Sequence, residues 1–199
     1  MIKRIHYFSG LILIAFISVH ILNHATILIS EDTHLAFMQY YRKVYRLPLL
    51  EGVLFCAILI QVVSGGTMLL KKWRTGKSRW ARIQLISGGY FVYFLIVHPA
   101  AVLYGRYVLN LDTNLYFGAA VLNISPIQYF FVFHYGLAIL AFFTHLSCVH
   151  QQKMQRHVTL RMATVQATVI IIIGAILSVV IVGRMVGIAI PPEYLIGFS

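Results

Sequence analysis

The sequence predicts an all-α, polytopic membrane protein of five transmembrane helices, with its N-terminus inside and its C-terminus outside. The first four helices are expected to form an up-down bundle built as a tandem helix-pair repeat. Three observations carry this reading. Of 199 residues, 60% are hydrophobic and only 11% are charged, where ordinary globular chains carry roughly 25% charged residues. Five apolar stretches are each long enough to cross a hydrocarbon core about 30 Å thick, which takes about 20 residues. The basic residues, finally, fall unevenly between the loops. The formal charge of +11 would suggest nucleic acid for a soluble chain; here it reads as loops facing anionic lipid, and no nucleic-acid partner is expected.

The five stretches cover residues 7–29, 48–70, 83–108, 127–150 and 163–190. The first has a basic flank (Lys3, Arg4) like a signal peptide, but it is too long for a signal core and lacks a small-residue cleavage site, so it is read as retained. The second contains Ser64-Gly65-Gly66 and the third Ser87-Gly88-Gly89. Such small residues let neighbouring backbones, or a flat cofactor, approach closely. The fifth carries Arg184 near its outer third, placed to snorkel. Only short loops remain, so residues 1–199 are expected to be one transmembrane domain. Cys56 and Cys148 lie in different spans at different depths, and no disulfide is expected.

Orientation follows from lysine and arginine. Lys3, Arg4, Lys71, Lys72, Arg74, Lys77, Arg79, Arg82, Lys153, Arg156 and Arg161 make eleven on one side; Arg42, Lys43, Arg46, Arg106 and Arg184 make five on the other. The positive-inside rule puts the first group in the cytoplasm. All five acids, Glu31, Asp32, Glu51, Asp112 and Glu193, fall on or near the outer side. Glu51 is expected to pair with Arg46 or Arg106.

The starts of the first and third spans repeat. Residues 4–20 and 82–98 share Arg-Ile-[His/Gln]-x-x-Ser-Gly-x9-His at an offset of 78. The second and fourth spans align with Ser64 on Ser147, Gln61 on Thr144 and Val62 on His145. The copies cover about 4–72 and 82–153, with the fifth helix, about 163–190, outside them. Parallel repeats of this kind are related by an axis along the membrane normal. The repeat puts His20 and His98 at one depth, about 24 Å past the last cytoplasmic arginine at 1.5 Å per residue. Two imidazoles facing across a dry bundle can fill both axial positions of a haem iron. Ser9, Gly10, Ser87 and Gly88 fall nearer the inner side, where they can make room for a porphyrin edge or a close helix contact. His145 lies about 12 Å from the inner side, and its repeat partner, Val62, cannot bind a metal.

These residues resemble those of a known family, the single-chain, five-helix cytochrome b membrane anchor of succinate dehydrogenases and fumarate reductases. The resemblance spans roughly residues 3–155 and rests on Arg4-Ile5-His6, His20, Leu47-Pro48, Glu51, His98 and His145. It implies that His20 and His98 are the axial ligands of an outer haem b and that His145 is one ligand of an inner haem. Val62 stands where the other inner ligand belongs, so one haem is expected. The resemblance further implies electron exchange with a membrane quinone and flavoprotein and iron–sulfur partner subunits on the cytoplasmic side. On this reading the chain is a non-catalytic electron-transfer and anchor subunit, in the bacterial cytoplasmic membrane or a mitochondrial one. His6, Arg4, His24 and His134 are candidates for contact with the quinone; His24 and His134 share a depth that would also suit a second metal pair. The alternative is a redox-silent five-helix protein acting in lipid handling or complex assembly. No Walker loop, dinucleotide fingerprint or zincin pair occurs, so nucleotide and hydrolytic chemistry are not expected.

Overall fold

A computed structural model describes residues 1–73 and 78–195; Arg74 and Lys77 of the basic cluster and the C-terminal Ser199 lie outside the described residues. The described residues form seven α-helices and no strand: α1 (Ile2–Ala25), α2 (Glu31–Tyr45), α3 (Pro48–Lys72), α4 (Arg79–Tyr107), α5 (Leu115–Ala120), α6 (Gln128–Met154) and α7 (Leu160–Met185). Helices α1, α3, α4, α6 and α7 are long and apolar enough to cross a membrane.

Local chemistry sets the ends. Ser30, Ser78, Asn114 and Thr159 cap α2, α4, α5 and α7, each accepting a backbone N–H of the first turn with its side-chain oxygen. Pro48 opens α3, where its missing N–H costs nothing. Pro99 lies inside α4, directly after His98, and leaves the Leu95 carbonyl without its usual helical donor.

Two helices go beyond the expected five. The connection after the first span is the amphipathic α2, with Glu31 and Asp32 in its first turn and Arg42 and Lys43 in its last, each suiting the helix dipole. The other is the short α5. The fifth span also ends earlier than expected, at Met185 rather than near residue 190. Gly187 takes a left-handed conformation (φ +88°). The Asn123 amide ties the chain down there, donating to the Met185 carbonyl at 3.0 Å and accepting from the Gly187 N–H at 2.6 Å.

Helix α1 packs on α3, α3 on α4, α4 on α6 and α6 on α7. Most of the basic residues lie at one end of this bundle and the acids, with Arg42, Arg46 and Arg106 among them, at the other; we call these the basic and acidic ends. At the acidic end Ile27, Leu115, Ala119, Leu122, Ile181, Val182 and Met185 form the apolar core. The long helices turn large apolar side chains outward, among them Leu59, Val63, Ile86, Phe133, Ile172 and Val179. On helices of this length such a surface suits lipid. The α6–α7 seam is made of small residues: Ala163, Ala167, Ser147 and Cys148 are fully enclosed, and Ser178 donates to the Gly136 carbonyl at 2.8 Å. Both cysteines are free, Cys56 exposed and Cys148 buried.

Candidate functional site

His20 on α1 and His98 on α4 face each other, with ring centroids 6.0 Å apart and planes 58° apart. Each stacks on a phenylalanine one turn earlier: Phe16 lies 5.7 Å from His20 at 14°, and Phe94 lies 5.0 Å from His98 at 10°. Their ring nitrogens make no hydrogen bond among the described residues, and both side chains keep part of their surface open. Two imidazoles this close on separate helices are a donor set that would suit a metal ion or a haem iron held between them. Among the described residues no three of His, Cys, Asp and Glu converge as a metal site; an axial pair needs only two.

The two halves match in detail. Ser9 donates to the carbonyls of Ile5 (2.8 Å) and His6 (3.3 Å); Ser87, its repeat partner, donates to Ile83 (2.8 Å) and Gln84 (3.3 Å). Phe16 and Phe94 also share the offset of 78, an identity in plain view that the sequence motif above omits. Both serines donate within their own helices, and Ser9 Oγ also accepts from Gln61 of α3 at 2.7 Å.

The His20 ring continues into a chain of imidazoles toward the acidic end. His24 lies edge-on to it at 4.7 Å, and His34 of α2 lies 5.3 Å from His24. Asn23 meets His34 Nε2 at 3.4 Å. His24 Nδ1, His34 Nδ1 and Asn23 Oδ1 are buried without partners among the described residues. Burial holds the His34 imidazole below its ordinary pKa. His34 was missed because the segment reads as a loop; the available signal was Ser30 as a cap, then His34 and Met38 four apart, both of them buried.

His24 and His134 share a depth in the sequence reading, yet the structure brings no contact between them among the described residues. His134 belongs to α6 and is held instead by Tyr90, whose hydroxyl lies 3.0 Å from both its Nδ1 and its carbonyl, and by the Phe130 ring stacked at 5.4 Å. A histidine carries no instruction about which helix face it occupies; packing decided this.

Toward the basic end the bundle encloses a cavity of about 580 Å³ lined by α1, α3, α4 and α6. It contains His6, Gly10, Gln61, Gly65, Gln84, Gly88 and His145, and reaches from Lys3 to Ile17 along α1. His6 Nδ1 meets Ser64 Oγ at 2.8 Å, and Ser64 donates to the Ile60 carbonyl. His145 Nδ1 meets the Gln84 carbonyl at 3.3 Å, and Gln152 donates to Gln84 Oε1 at 2.7 Å. Gln61 donates to the His6 carbonyl and to Ser9 Oγ. Gly88 lets the His145 ring come close, because a Cβ there would lie 2.9 Å from that ring and displace it; one at Gly10 would press on the Gln61 amide at 3.3 Å. Val62 is not among the lining residues. His6 and Arg4, paired above as quinone candidates, separate: His6 faces the cavity, whereas Arg4 is exposed in a shallow groove with Lys3, Tyr7, Phe8 and Lys153.

Glu51 pairs with Arg106 at 2.6 Å, both side chains about four-fifths buried (23% and 18% exposed). Arg46 donates to Thr113 Oγ1 instead. Arg184 is exposed on the outward side of α7, as snorkelling requires. No family model, no curated protein and no solved structure matches the chain.

Proposed function

We propose that the chain is an integral membrane cytochrome b, with His20 and His98 as the axial ligands of one haem b and a membrane quinone as its electron-exchange partner. The observation that carries this reading is the pair itself: two imidazoles on different helices, with ring centroids 6.0 Å apart and planes 58° apart, whose nitrogens make no hydrogen bond among the described residues. A bound haem supplies one-electron chemistry. The chain contributes two neutral nitrogen donors, the aromatic stacks of Phe16 and Phe94 that fix their planes, and an apolar surround that excludes water. His145 lies outside this pair: its Nδ1 is 3.3 Å from the Gln84 carbonyl, and its ring touches neither His20 nor His98 among the described residues. The basic end would face the cytoplasm and the flavoprotein and iron–sulfur partners, in the bacterial cytoplasmic membrane.

The test is the spectrum and haem-to-protein ratio of the purified protein made with haem available. One six-coordinate, low-spin haem is expected, lost or converted to a ligand-binding high-spin form in His20→Ala and in His98→Ala, and kept in His145→Ala. Protein without haem would overturn the reading in favour of the redox-silent alternative in lipid handling or assembly.

A further inference from the structure

Arg42, Arg46 and Arg106 lie at the acidic end, against the prevailing charge pattern of the chain, and the fold brings all three to one place. Arg42 and Arg46, one turn apart where α2 ends, both reach Thr113. Arg42 donates to its carbonyl at 2.7 Å and Arg46 to its Oγ1 at 3.0 Å. Thr113 in turn packs on α4 beside Arg106. The Leu111 N–H donates to the Gly105 carbonyl at 2.9 Å, and a Cβ at the buried Gly105 would lie only 3.2 Å from the Thr113 methyl.

Two carboxylates answer these three guanidiniums. Asp112 takes Arg42 and Glu51 takes Arg106, each at 2.6 Å. Arg46 forms no ion pair among the described residues; its partners are the hydroxyls of Thr113 and Tyr45. The cluster therefore carries an unbalanced positive charge on a side chain that is itself half-buried. Burial, and after it the charge of Arg42, holds the Arg46 guanidinium below its ordinary pKa, and Arg106 adds to the effect. Like charges held this close in a partly dry setting repel strongly, and an anion at Arg46 would relieve both that repulsion and the missing balance. The Nε atoms of all three arginines are enclosed without partners, so the hydrogens left for a ligand are those on the terminal nitrogens. These form the planar fork that matches a phosphate through two parallel bonds.

The surroundings select among phosphates. The cluster sits where α3 begins and α4 ends, at the level where a membrane span gives way to head groups. Apolar side chains follow each cation directly: Leu47 after Arg46, and Tyr107 and Val108 after Arg106, all of them exposed. A free inorganic anion has no use for that flank, whereas an amphiphile covers it with hydrocarbon.

The geometry points to a phospholipid site at the acidic end of the bundle, in which Arg46, backed by Arg42 and Arg106, holds the lipid phosphate while the ends of α3 and α4 flank the acyl chains. The site uses neither His20 nor His98 and stands whether or not haem is bound.

The experiment is native mass spectrometry of the delipidated, detergent-solubilised protein titrated with dioleoyl phosphatidylglycerol, with dioleoylglycerol, which lacks the phosphate, and with inorganic phosphate. The phospholipid should bind roughly tenfold or more tightly than the diacylglycerol, as charge-assisted hydrogen bonds to one phosphate allow. Arg46→Gln keeps a donor for Thr113 and should weaken the tightest phospholipid binding about fivefold or more. Arg46→Lys keeps the charge without the fork and should fall in between. Lys43→Gln, at an exposed position of α2, should leave the affinity unchanged, which separates this site from the general attraction of a basic chain for anionic lipid. Where Arg46→Gln fails to fold, Arg46→Lys set against Lys43→Gln carries the same comparison. Equal affinity for the phospholipid and the diacylglycerol, or equal losses in the Arg46 and Lys43 variants, would overturn the proposal. So would displacement of the lipid by inorganic phosphate at comparable concentration, which would assign the arginines to a soluble oxyanion.

Discussion

Replacing Gly174 with alanine tests how tightly α6 and α7 are pressed together. A Cβ at this position would lie 2.3 Å from Cβ of Phe143, 2.6 Å from its Cγ and 2.9 Å from its Cδ2. Carbon atoms in contact prefer about 3.5–4.0 Å, so the two helices would have to part locally by about 1.2 Å or more. The Phe143 Cβ is fixed to its own backbone and cannot rotate away. Nor can the seam yield easily, because Ala163, Ala167, Ser147 and Cys148 enclose one another along it. Overpacking of this kind costs about 1–3 kcal/mol, and the severity of the overlap puts it near 3. Alanine also recovers about 1 kcal/mol of helix propensity over glycine, leaving a net loss of about 2 kcal/mol. Gly183, on the same helix, is exposed and has nothing within 4 Å of its would-be Cβ. Gly183→Ala should therefore be neutral or stabilising, and the difference between the two variants isolates the clash. In a chain of this size each 1 kcal/mol moves the midpoint by about 2–4 °C, so thermal unfolding in one detergent should separate the variants by roughly 4–12 °C. Equal midpoints would refute the close approach of α6 and α7 on which this reasoning stands.

Three further outcomes follow from the same contacts. Because burial depresses the His34 pKa, the unfolded chain takes up that proton first: its share of stability is present above about pH 6.5 and is lost as pH falls through the lower, folded value. Unfolding midpoints at pH 7.5 and 5.5 should differ less in His34→Gln than in the parent, and an identical difference would show that His34 is not enclosed. Glu51→Gln, which strips the charge partner from the largely buried Arg106, should cost about 1.5–3 kcal/mol. Asp112→Asn should cost under about 1 kcal/mol, because the Asp112 side chain is 51% exposed, and the reverse order in denaturant or thermal unfolding would contradict the burial described here. Finally, the basic asymmetry predicts that Lys71→Cys is labelled by an impermeant thiol reagent only from the cytoplasmic side and Asp112→Cys only from the opposite side. Labelling of both from one side would mean that a span is miscounted.

Composition alone determined the class of this protein, because a bilayer admits little besides apolar helices of about 20 residues. The five spans are the strongest periodic and compositional signals in the chain, and they lie where the sequence puts them to within a few residues. The match between His20 and His98 was also legible, since an offset of 78 with shared Ser-Gly and His positions encodes equal depth on two parallel helices. Depth is a one-dimensional quantity, and residue number measures it. Azimuth is not. Whether His24 turns to His20 or to His134, whether Glu51 finds Arg46 or Arg106, and whether His6 faces Ser64 or the surface all depend on how each helix is rotated and tilted against its neighbours. In apolar helices nearly every face is hydrophobic, so no polar stripe announces that rotation. The structure also decided what lies between the spans: α2 is held by its Ser30 cap and by contact of His34 with His24, and the end of α7 by Asn123, 62 residues earlier in the chain. His6 and His145 likewise meet their partners, Ser64 on α3 and the Gln84 carbonyl on α4, only once the bundle has closed.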